Sequence, residues 1–430
     1  MIDATGAAAR AHVTVIAAGD RIVSVTPSGS TAAPKGSRVI DGKGKYLIPG
    51  LWDMHVHLWD KYSLFPLYVA AGVTGIRDMG SDFTRTNRWR KQPGSPRVYT
   101  PGPAVMGPTL KAGKLAVLRV STAVDAEQTV NQLFEMDVDF VKILTNVPRG
   151  AYFSLAHRAR IHRLPFAGHL PDAVTLSEVI EERQRSIEHL FGFALACSSE
   201  EESLRGQRAE ALDRKDRAAL VRIHDRVYET YSEAKALDYG QRCGRWGISV
   251  TPTLTLHERM SLVDMKKLTS DPALQYVPAS IRKGWDDPRA ELERTSKADL
   301  ETARLDFERG LKIVAALKRG GAEILAGTDT GDPQTVPGFS LHDELVLLVR
   351  AGLTPLEAIQ ASTRNAARSL GVENRFGTIE KGKAADLVLL DADPLADIRN
   401  TTRISMVVLR GKPYSRVQLN GLVRQVQALP

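Results

Sequence analysis

Short apolar segments alternate with longer amphipathic segments from about residue 50 to residue 377. The short segments have the length and the bounding turns of strands, and the longer ones have helical spacing. This alternation predicts repeated βα units and a parallel sheet. Eight strands are predicted, at 51–58, 72–80, 97–105, 139–146, 165–170, 186–191, 248–256 and 323–329. Eight such units in this order predict a (β/α)8 TIM barrel, in which functional residues collect at the carboxyl ends of the strands.

The two ends of the chain have a different pattern. Alternating residues at 12–25 predict two strands joined at Gly19 and Asp20, and "GTIEKGKAADLVLLDADP" and "ISMVVLRGK" near the other end are also β-type with glycine turns. We expect residues 1–48 and 378–430 to form one small β-sandwich domain, and residues 49–377 to form the barrel. Met1 and Ile2 lie where a strand is already expected, which leaves an upstream strand or a processed leader open.

Two further features bear on the barrel. Thr354 and Pro355 predict the start of one helix, and Gly371 predicts the end of the next. Residues 198–242 are charge-rich with helical spacing and exceed what a minimal barrel needs. A substrate lid, a solvated helix and a subunit contact all remain open for this insertion.

The composition is that of a soluble globular protein, with 43% hydrophobic and 25% charged residues and no apolar run near the ~20 residues that span a bilayer. The 58 basic and 50 acidic residues, net charge +8, are interspersed, which favours a solvated basic surface over a nucleic-acid partner. Cys197 and Cys243 form no CxxC pattern, and no signal-peptide pattern begins the chain. We therefore expect a cytoplasmic protein without membrane or nucleic-acid partners.

The segment "LWDMHVHL" places two histidines one residue apart on a predicted strand. Successive strand side chains alternate faces, so His55 and His57 point the same way and can contact one metal ion together. Alone, this pattern is weak evidence, because histidines in strands are often hydrogen-bonded core residues.

Lys142 lies between apolar neighbours in the predicted fourth strand, "DFVKILTN". A lysine there either extends its amine outward, forms a buried ion pair or is chemically changed, because burying an unpaired ammonium is costly. Desolvation lowers the pKa of an amine, and a neutral lysine can take up carbon dioxide. The resulting carbamate is an anionic ligand that is able to bridge two metal ions.

Three more polar side chains end predicted strands. His169 and His189 end strands five and six, where neutral imidazoles can bind a second metal ion. Asp329 ends strand eight, as a metal ligand, a helix cap or a general base. With the residues of strands one and four they form a nitrogen and carboxylate set without thiolate, which suits Zn²⁺ best, with manganese, iron or cobalt feasible. A pair of such ions activates water for hydrolysis at neutral pH.

With these residues in place, the sequence resembles the amidohydrolase superfamily, and more narrowly its imidazolonepropionase-like and Xaa-Pro dipeptidase-like members. The resemblance rests on an ordered set of segments that spans nearly the whole chain: "LIPGLWDMHVHL", "AAGVTGIRDMG", "DFVKIL", "FAGHLPDAVTLSEVIEERQRSIEHLFG", "ILAGTDTGDP", "SLHDELVLLVRAGLTPLEAIQASTRNAARSLG" and "GTIEKGKAADLVLLDADP".

The resemblance implies a binuclear centre. His55 and His57 would bind the first metal ion, His169 and His189 the second, and carbamylated Lys142 would bridge both. Asp329 would ligate the first ion, take a proton from the bridging hydroxide that attacks, and pass it to the leaving amine. A homo-oligomer is also expected from the resemblance.

The expected activity is cleavage of an amide C–N bond in a small molecule, of the dipeptide or N-acyl amino acid type. Hydrolysis of a lactone, carbamate, urea or organophosphate ester on the same centre is the alternative, and a non-catalytic scaffolding relative is a third interpretation. The short N-terminal β segment and the long stretches 198–242 and 257–322 weaken transfer of a substrate from dipeptidases. Tyr152 and His257 lie near expected substrate positions, although we expect packing or capping roles for both.

Overall fold

The computed structural model describes residues 1–58, 64–109, 111–113, 115–285 and 287–429. These residues form two compact units. Unit 1 consists of residues 1–102, 253–308 and 325–430, and unit 2 consists of residues 103–252 and 309–324. None of the helices in the described part of the chain has both the length and the apolar character needed to cross a membrane.

Within the described residues, sixteen strands and eighteen α-helices are numbered in chain order. The strands are β1 Val13–Ala18, β2 Arg21–Pro27, β3 Tyr46–Pro49, β4 Leu51–Val56, β5 Val73–Asp78, β6 Arg97–Tyr99, β7 Ala104–Met106, β8 Val117–Arg119, β9 Val141–Ile143, β10 Phe166–Gly168, β11 Ser186–Glu188, β12 Ser249–Thr251, β13 Glu323–Ile324, β14 Leu387–Leu390, β15 Ile404–Leu409 and β16 Lys412–Ser415. The helices are α1 Phe65–Ala70, α2 Phe83–Trp89, α3 Ala123–Glu135, α4 Arg149–Ile161, α5 Leu176–Glu181, α6 Phe193–Ala196, α7 Glu201–Asp213, α8 Arg217–Glu229, α9 Glu233–Trp246, α10 Leu254–Met260, α11 Met265–Ser270, α12 Ala279–Arg282, α13 Pro288–Arg294, α14 Lys297–Gly320, α15 Phe339–Arg350, α16 Pro355–Ala361, α17 Arg364–Ser369 and α18 Arg416–Gln427. Two 3₁₀ helices lie at Pro272–Tyr276 and Ile398–Thr402.

Unit 2 is built around a seven-stranded parallel sheet in the order β13, β12, β11, β10, β9, β7, β8. Its central strands are short and fully buried, as expected for strands covered by helices on the βα pattern. In unit 1, β4, β5 and β6 form a three-stranded sheet in which both neighbouring pairs are parallel. The predicted parallel sheet of βα units is confirmed.

The predicted strand at 97–105 is wrong in one respect, because it is two strands in two different sheets. β6 pairs with β5, whereas β7 pairs with β8 and β9. Pro101 and Pro103 lack the amide that a ladder needs, and Gly102 between them has a φ of 63°. These three residues interrupt the extended backbone.

Other parts of the strand prediction need correction as well. The strand β8 was not predicted at all. The predicted seventh strand, 248–256, ends at Thr251, because Pro252 carries no amide and Thr253 has a φ of 48° before α10 begins. The predicted eighth strand, 323–329, is regular only at β13, and its remainder runs beside β4 with irregular hydrogen bonds.

A small antiparallel sheet domain in unit 1 uses both ends of the chain, as predicted. β3 pairs with β14, which continues through β15 to β16 in a four-stranded sheet. β1 and β2 form the predicted hairpin across Gly19 and Asp20. Gly411 approaches this turn so closely that a Cβ on it would lie 1.8 Å from the carbonyl oxygen of Gly19. The boundaries near residues 48 and 377 stay a prediction.

The predicted helix signals in unit 1 are confirmed. Thr354 and Glu357 form a reciprocal capping box around Pro355 at the start of α16. Gly371, with a φ of 70°, lies just beyond the end of α17.

The insertion at residues 198–242 consists of α7, α8 and most of α9. Helices α6, α7 and α8 enclose a small apolar cluster, formed by Leu195, Leu204, Ala211, Ile223 and Val227. The predicted helical spacing is therefore confirmed, while the choice between lid, solvated helix and subunit contact stays a prediction.

Candidate metal centre

The first candidate cluster lies in unit 1, where the end of β4 meets the segment around Asp329. His55 lies in β4 and His57 follows its last residue. Their Nε2 atoms lie 3.3 Å and 3.1 Å from Oδ1 of Asp329. His55 and Asp329 are buried, and His57 exposes only 10% of its side chain. The structure thus brings three predicted ligands together as a buried His/His/Asp cluster.

Backbone hydrogen bonds hold this cluster in place. The amide of Asp329 donates to the carbonyl of His55 at 2.8 Å, and the amide of His57 donates to the carbonyl of Thr330 at 2.7 Å. Asp329 has a φ of 59°, in the left-handed region, which Asp adopts more readily than most residues. Such strain persists only where the surrounding structure enforces it, and it concentrates at functional sites.

Asp53 supports the same cluster from within β4. Its carboxylate accepts hydrogen bonds from the hydroxyl and the amide of Thr328, at 2.7 and 3.1 Å, and from the amide of His55 at 3.2 Å. Burial raises the pKa of Asp53 to about 7. Sequence reasoning missed this residue, although its spacing of two from His55 places it on the same strand face and could have signalled it.

A second buried carboxylate fixes the chain that leaves His57. Asp78, at the end of β5, accepts hydrogen bonds from the hydroxyls of Ser81 and Thr100 and from the amide of Leu58. Burial raises the pKa of Asp78. The candidate ligands therefore rest on a hydrogen-bonded polar layer.

The second candidate cluster lies in unit 2, on three neighbouring parallel strands. Lys142 lies in β9, while His169 and His189 directly follow β10 and β11. The rings of His169 and His189 lie 4.8 Å apart, nearly perpendicular. Lys142 is fully buried, which contradicts the alternative in which its amine extends outward. A buried ion pair and a chemically changed lysine remain as interpretations.

The two histidines of this cluster are positioned by close backbone contacts. A Cβ on Gly168, directly before His169, would lie 2.1 Å from the carbonyl oxygen of Ile143, so that only glycine fits beside β9. His189 has a φ of 64°, and its amide donates to the carbonyl of Thr251 at 2.8 Å. Both candidate ligand sets thus include a residue with a left-handed backbone.

Thr145 is the second functional residue that sequence reasoning missed. Its hydroxyl lies 2.6 Å from Nδ1 of His169. A hydrogen bond to one ring nitrogen fixes the tautomer and the orientation of an imidazole, and leaves the other nitrogen for an ion. Metal-binding histidines in proteins commonly have such a partner.

Tyr152 is a packed side chain, and His257 lies half-buried in α10. The hydroxyl of buried Tyr152 donates to Oε1 of Gln184 at 3.3 Å, and Nε2 of Gln184 donates to the carbonyl of Gly168 at 2.9 Å. Burial lowers the pKa of His257 to about 4, so its imidazole is neutral at neutral pH. The expected packing role of Tyr152 is confirmed.

The donor chemistry of the first cluster fits a divalent metal ion. Two imidazole nitrogens lie within 3.3 Å of one carboxylate oxygen, and none of the three side chains exposes more than 10% of its surface. Imidazole nitrogen and carboxylate oxygen are both ligands that zinc accepts, and zinc can bind them without a thiolate in the set. The His/His/Asp cluster is therefore the best-supported position for an ion in unit 1.

Comparison with known proteins supports one family. The model of the amidohydrolase family matches residues 257–414. The imidazolonepropionase of Sphingopyxis alaskensis is 36% identical over 120 residues, which are 26% of this chain and 28% of that protein. The ochratoxinase of Aspergillus niger is 40% identical over 91 residues, 21% of this chain and 18% of that protein. These matches support the amidohydrolase superfamily as the family that this chain resembles.

The chain spans less than a third of the length of either relative, so these matches support the family and leave the activity to be argued from the site. Solved structures agree over far more of the chain. A bottromycin amidohydrolase superimposes with a TM-score of 0.78 and 22% identity over 100% of this chain and 89% of its own. A Xaa-Pro dipeptidase with bound methionine gives 0.68 and 16% over 96% and 97%. The predicted TIM-barrel-like fold with a small antiparallel sheet domain is confirmed.

Proposed function

We propose that this amidohydrolase superfamily member is a metal-dependent hydrolase that cleaves an amide C–N bond in a small molecule. The observation that carries the proposal is the buried cluster of His55, His57 and Asp329. A dipeptide or an N-acyl amino acid is the proposed substrate type.

In this proposal the first cluster performs the proton transfer. When bound, a divalent ion, most simply Zn²⁺, lowers the pKa of water and polarises the substrate carbonyl. His55 and His57 hold that ion, and Asp329 is both a ligand and the general base. Its carboxylate takes the proton of the attacking water and returns it to the leaving amine. Asp53 accepts hydrogen bonds from the amides of Thr328 and His55 and so fixes the segments on which Asp329 and His55 lie, while the left-handed backbone of Asp329 sets the direction of its side chain.

The second cluster completes the proposal. His169 and His189 would hold a second ion, and Lys142, as a carbamate, would supply an anionic ligand. Full burial of Lys142 supports this part, because a desolvated amine tends to be neutral and a neutral amine reacts with carbon dioxide. The hydroxyl of Thr145 holds the ring of His169 for the same purpose.

The test replaces His55 or Asp329 by Ala in the full-length, metal-replete protein. Removing the general base or a ligand is expected to lower kcat by about 10²- to 10⁴-fold, because proton transfer and water activation both fail. Metal content is measured on the same samples, and circular dichroism checks that each variant is folded. The substrate panel contains dipeptides, N-acyl amino acids, lactones and ureas.

The matched control is His162→Ala. His162 bonds to Asn131 at 2.7 Å and stacks on Phe134, outside both clusters, so its loss should leave turnover unchanged. Full activity in Asp329→Ala would refute the assigned role. Turnover of a lactone, carbamate, urea or organophosphate ester in place of every amide would move the proposal to that alternative on the same residues.

A further inference from the structure

Phe191 is an exposed aromatic residue beside the second cluster. It lies two residues after His189, and 37% of its surface is accessible to solvent. Single exposed apolar side chains are common on protein surfaces, so it is the position of this ring beside two candidate ligands that is informative.

The ring of Phe191 packs on both candidate histidines of unit 2. Its centroid lies 5.1 Å from that of His189, with the planes tilted by 35°, and 6.3 Å from that of His169. The ring therefore contacts both imidazoles and also keeps part of its surface accessible to solvent. A group that approaches these two imidazoles meets the aromatic surface.

The loop around Phe191 is held in place on both sides. Its neighbours Leu190 and Phe193 are buried, and the amide of Phe193 donates to the carbonyl of Leu190 at 3.1 Å. Gly192 has a φ of 82°, and a Cβ there would lie 2.9 Å from a methyl carbon of Leu170. The exposure of the ring is therefore imposed by the backbone of a well-anchored loop.

We propose that Phe191 is a specificity-determining residue that receives an aromatic ring of the substrate next to the scissile bond. This proposal rests on the amide hydrolysis proposed above and narrows its substrate class. Offset or edge-to-face contact between two rings is worth more than the burial of the same area, which favours an aromatic group over a methyl group at this position.

Phe134 provides a matched control. It is also an exposed phenylalanine stacked on a histidine, with 49% of its surface accessible and its ring centroid 4.2 Å from that of His162. It lies on α3, away from the candidate ligands. Phe134→Ala removes a comparable contact without touching the second cluster.

The experiment compares wild type, Phe191→Ala, Phe191→Leu and Phe134→Ala on two substrate pairs. N-acetyl-phenylalanine is paired with N-acetyl-alanine, and N-benzoylglycine with N-acetylglycine, so that a ring on either side of the amide is sampled. In Phe191→Ala, we expect the ratio of kcat/KM for aromatic over methyl substrate to fall about 10-fold in one pair. Phe191→Leu should give an intermediate ratio, and Phe134→Ala the wild-type ratio.

The ratio separates a contact with substrate from a structural role. If Phe191 only supports the histidines, both members of a pair lose activity by the same factor, and the proposal is overturned. An unchanged ratio in Phe191→Ala overturns it as well. Metal analysis and thermal unfolding of each variant show whether ligand binding or folding has changed.

Calorimetric titration with phenylalanine, benzoate, alanine and acetate provides a readout that needs no turnover. A roughly 10-fold weaker affinity for one aromatic ligand in Phe191→Ala, with the corresponding small ligand unaffected, supports the ring contact. Equal affinities in wild type and Phe191→Ala contradict it. If the wild type hydrolyses none of the four amides, the amide activity is refuted. The titrations then decide the ring contact separately.

Discussion

The two candidate clusters differ in the charge they bring to a metal ion. The cluster of unit 1 contains a carboxylate, Asp329, within 3.3 Å of two imidazole nitrogens. The predicted ligands of unit 2 are two imidazoles and one fully buried amine. An ion can bind the first set as it stands, whereas the second set suits an ion only after the amine of Lys142 has become an anion. The two clusters should therefore respond differently to carbon dioxide.

The variant with the largest expected effect on the difference between the two clusters is Lys142→Met. It keeps the apolar part of the side chain and removes the amine. We expect kcat/KM to fall by about 10³-fold, because the anionic ligand proposed at Lys142 is lost and the proposed second ion with it. Zinc uptake by wild type should need dissolved bicarbonate for its second equivalent, and uptake by Lys142→Met should not respond to bicarbonate. Equilibrium dialysis with and without bicarbonate measures this difference.

The matched control is Lys235→Met. Lys235 is an ion-paired lysine of unit 2, whose Nζ donates to Glu201 and to the carbonyl of Ser198 at 2.9 and 2.8 Å. Its removal should leave the bicarbonate response intact. Loading of two zinc equivalents by bicarbonate-free wild type would exclude the carbamate.

An intermediate effect is expected from Thr145→Val, which removes the hydrogen bond to Nδ1 of His169. Loss of such a partner typically lowers metal affinity or activity by about 10- to 100-fold. Thr145→Ser, which keeps the hydroxyl, should retain most of the affinity of wild type. Metal titration of wild type, Thr145→Val and Thr145→Ser tests whether the hydrogen bond from Thr145 to His169 affects only the second cluster.

Thr328→Val supplies the counterpart in unit 1. It removes a hydroxyl that donates to the buried carboxylate of Asp53, which is expected to lower the free energy of unfolding by about 1–3 kcal/mol.

A Thr145→Val protein with unchanged zinc affinity would show that the orientation of His169 does not depend on the hydroxyl of Thr145.

The smallest expected effect is on the pH dependence of the free energy of unfolding. It is expected from a buried carboxyl group of unit 1 and not from the buried thiols of unit 2. Glu344 in unit 1 is buried and accepts hydrogen bonds from the amide of Leu254 and from the amide and hydroxyl of Thr255. Burial raises its pKa from 4.5 to about 8. The folded state therefore holds a proton that the unfolded state releases, so the contribution of Glu344 to the free energy of unfolding falls between about pH 4.5 and pH 8.

Glu344→Gln should remove that dependence. At pH 5 the variant should be less stable by about 1–3 kcal/mol, because the new amide nitrogen cannot accept the N–H of Thr255. The deficit should shrink as the pH rises to 8, by at most about 1.4 kcal/mol per pH unit. Urea unfolding at several pH values measures it, and a constant deficit would show that Glu344 is ionised throughout.

Unit 2 offers the control for this measurement. Burial raises the pKa of Cys197 and of Cys243 to about 12, so both thiols stay neutral across the same range. Cys243→Ala should therefore change the stability by the same amount at every pH from 4.5 to 8.

Much of the architecture was predictable from local patterns. The β1–β2 hairpin follows from alternation around Gly19 and Asp20, and the start of α16 follows from Thr354 and Pro355. The failures occurred where backbone chemistry overrides the apolar pattern. Pro101 and Pro103 divide one apolar run between two sheets, and Pro252 ends another early.

Sequence by itself determined the donor types, because histidine, lysine and aspartate at the carboxyl ends of predicted strands restrict the chemistry before any distance is known. Tertiary structure alone decided the approach of Asp329 to His55 and His57, the full burial of Lys142 and the supports from Asp53 and Thr145. The reason is physical. Strand periodicity is a local property of the backbone, whereas these contacts join segments distant in the chain, and their geometry depends on packing and hydrogen bonding between those segments.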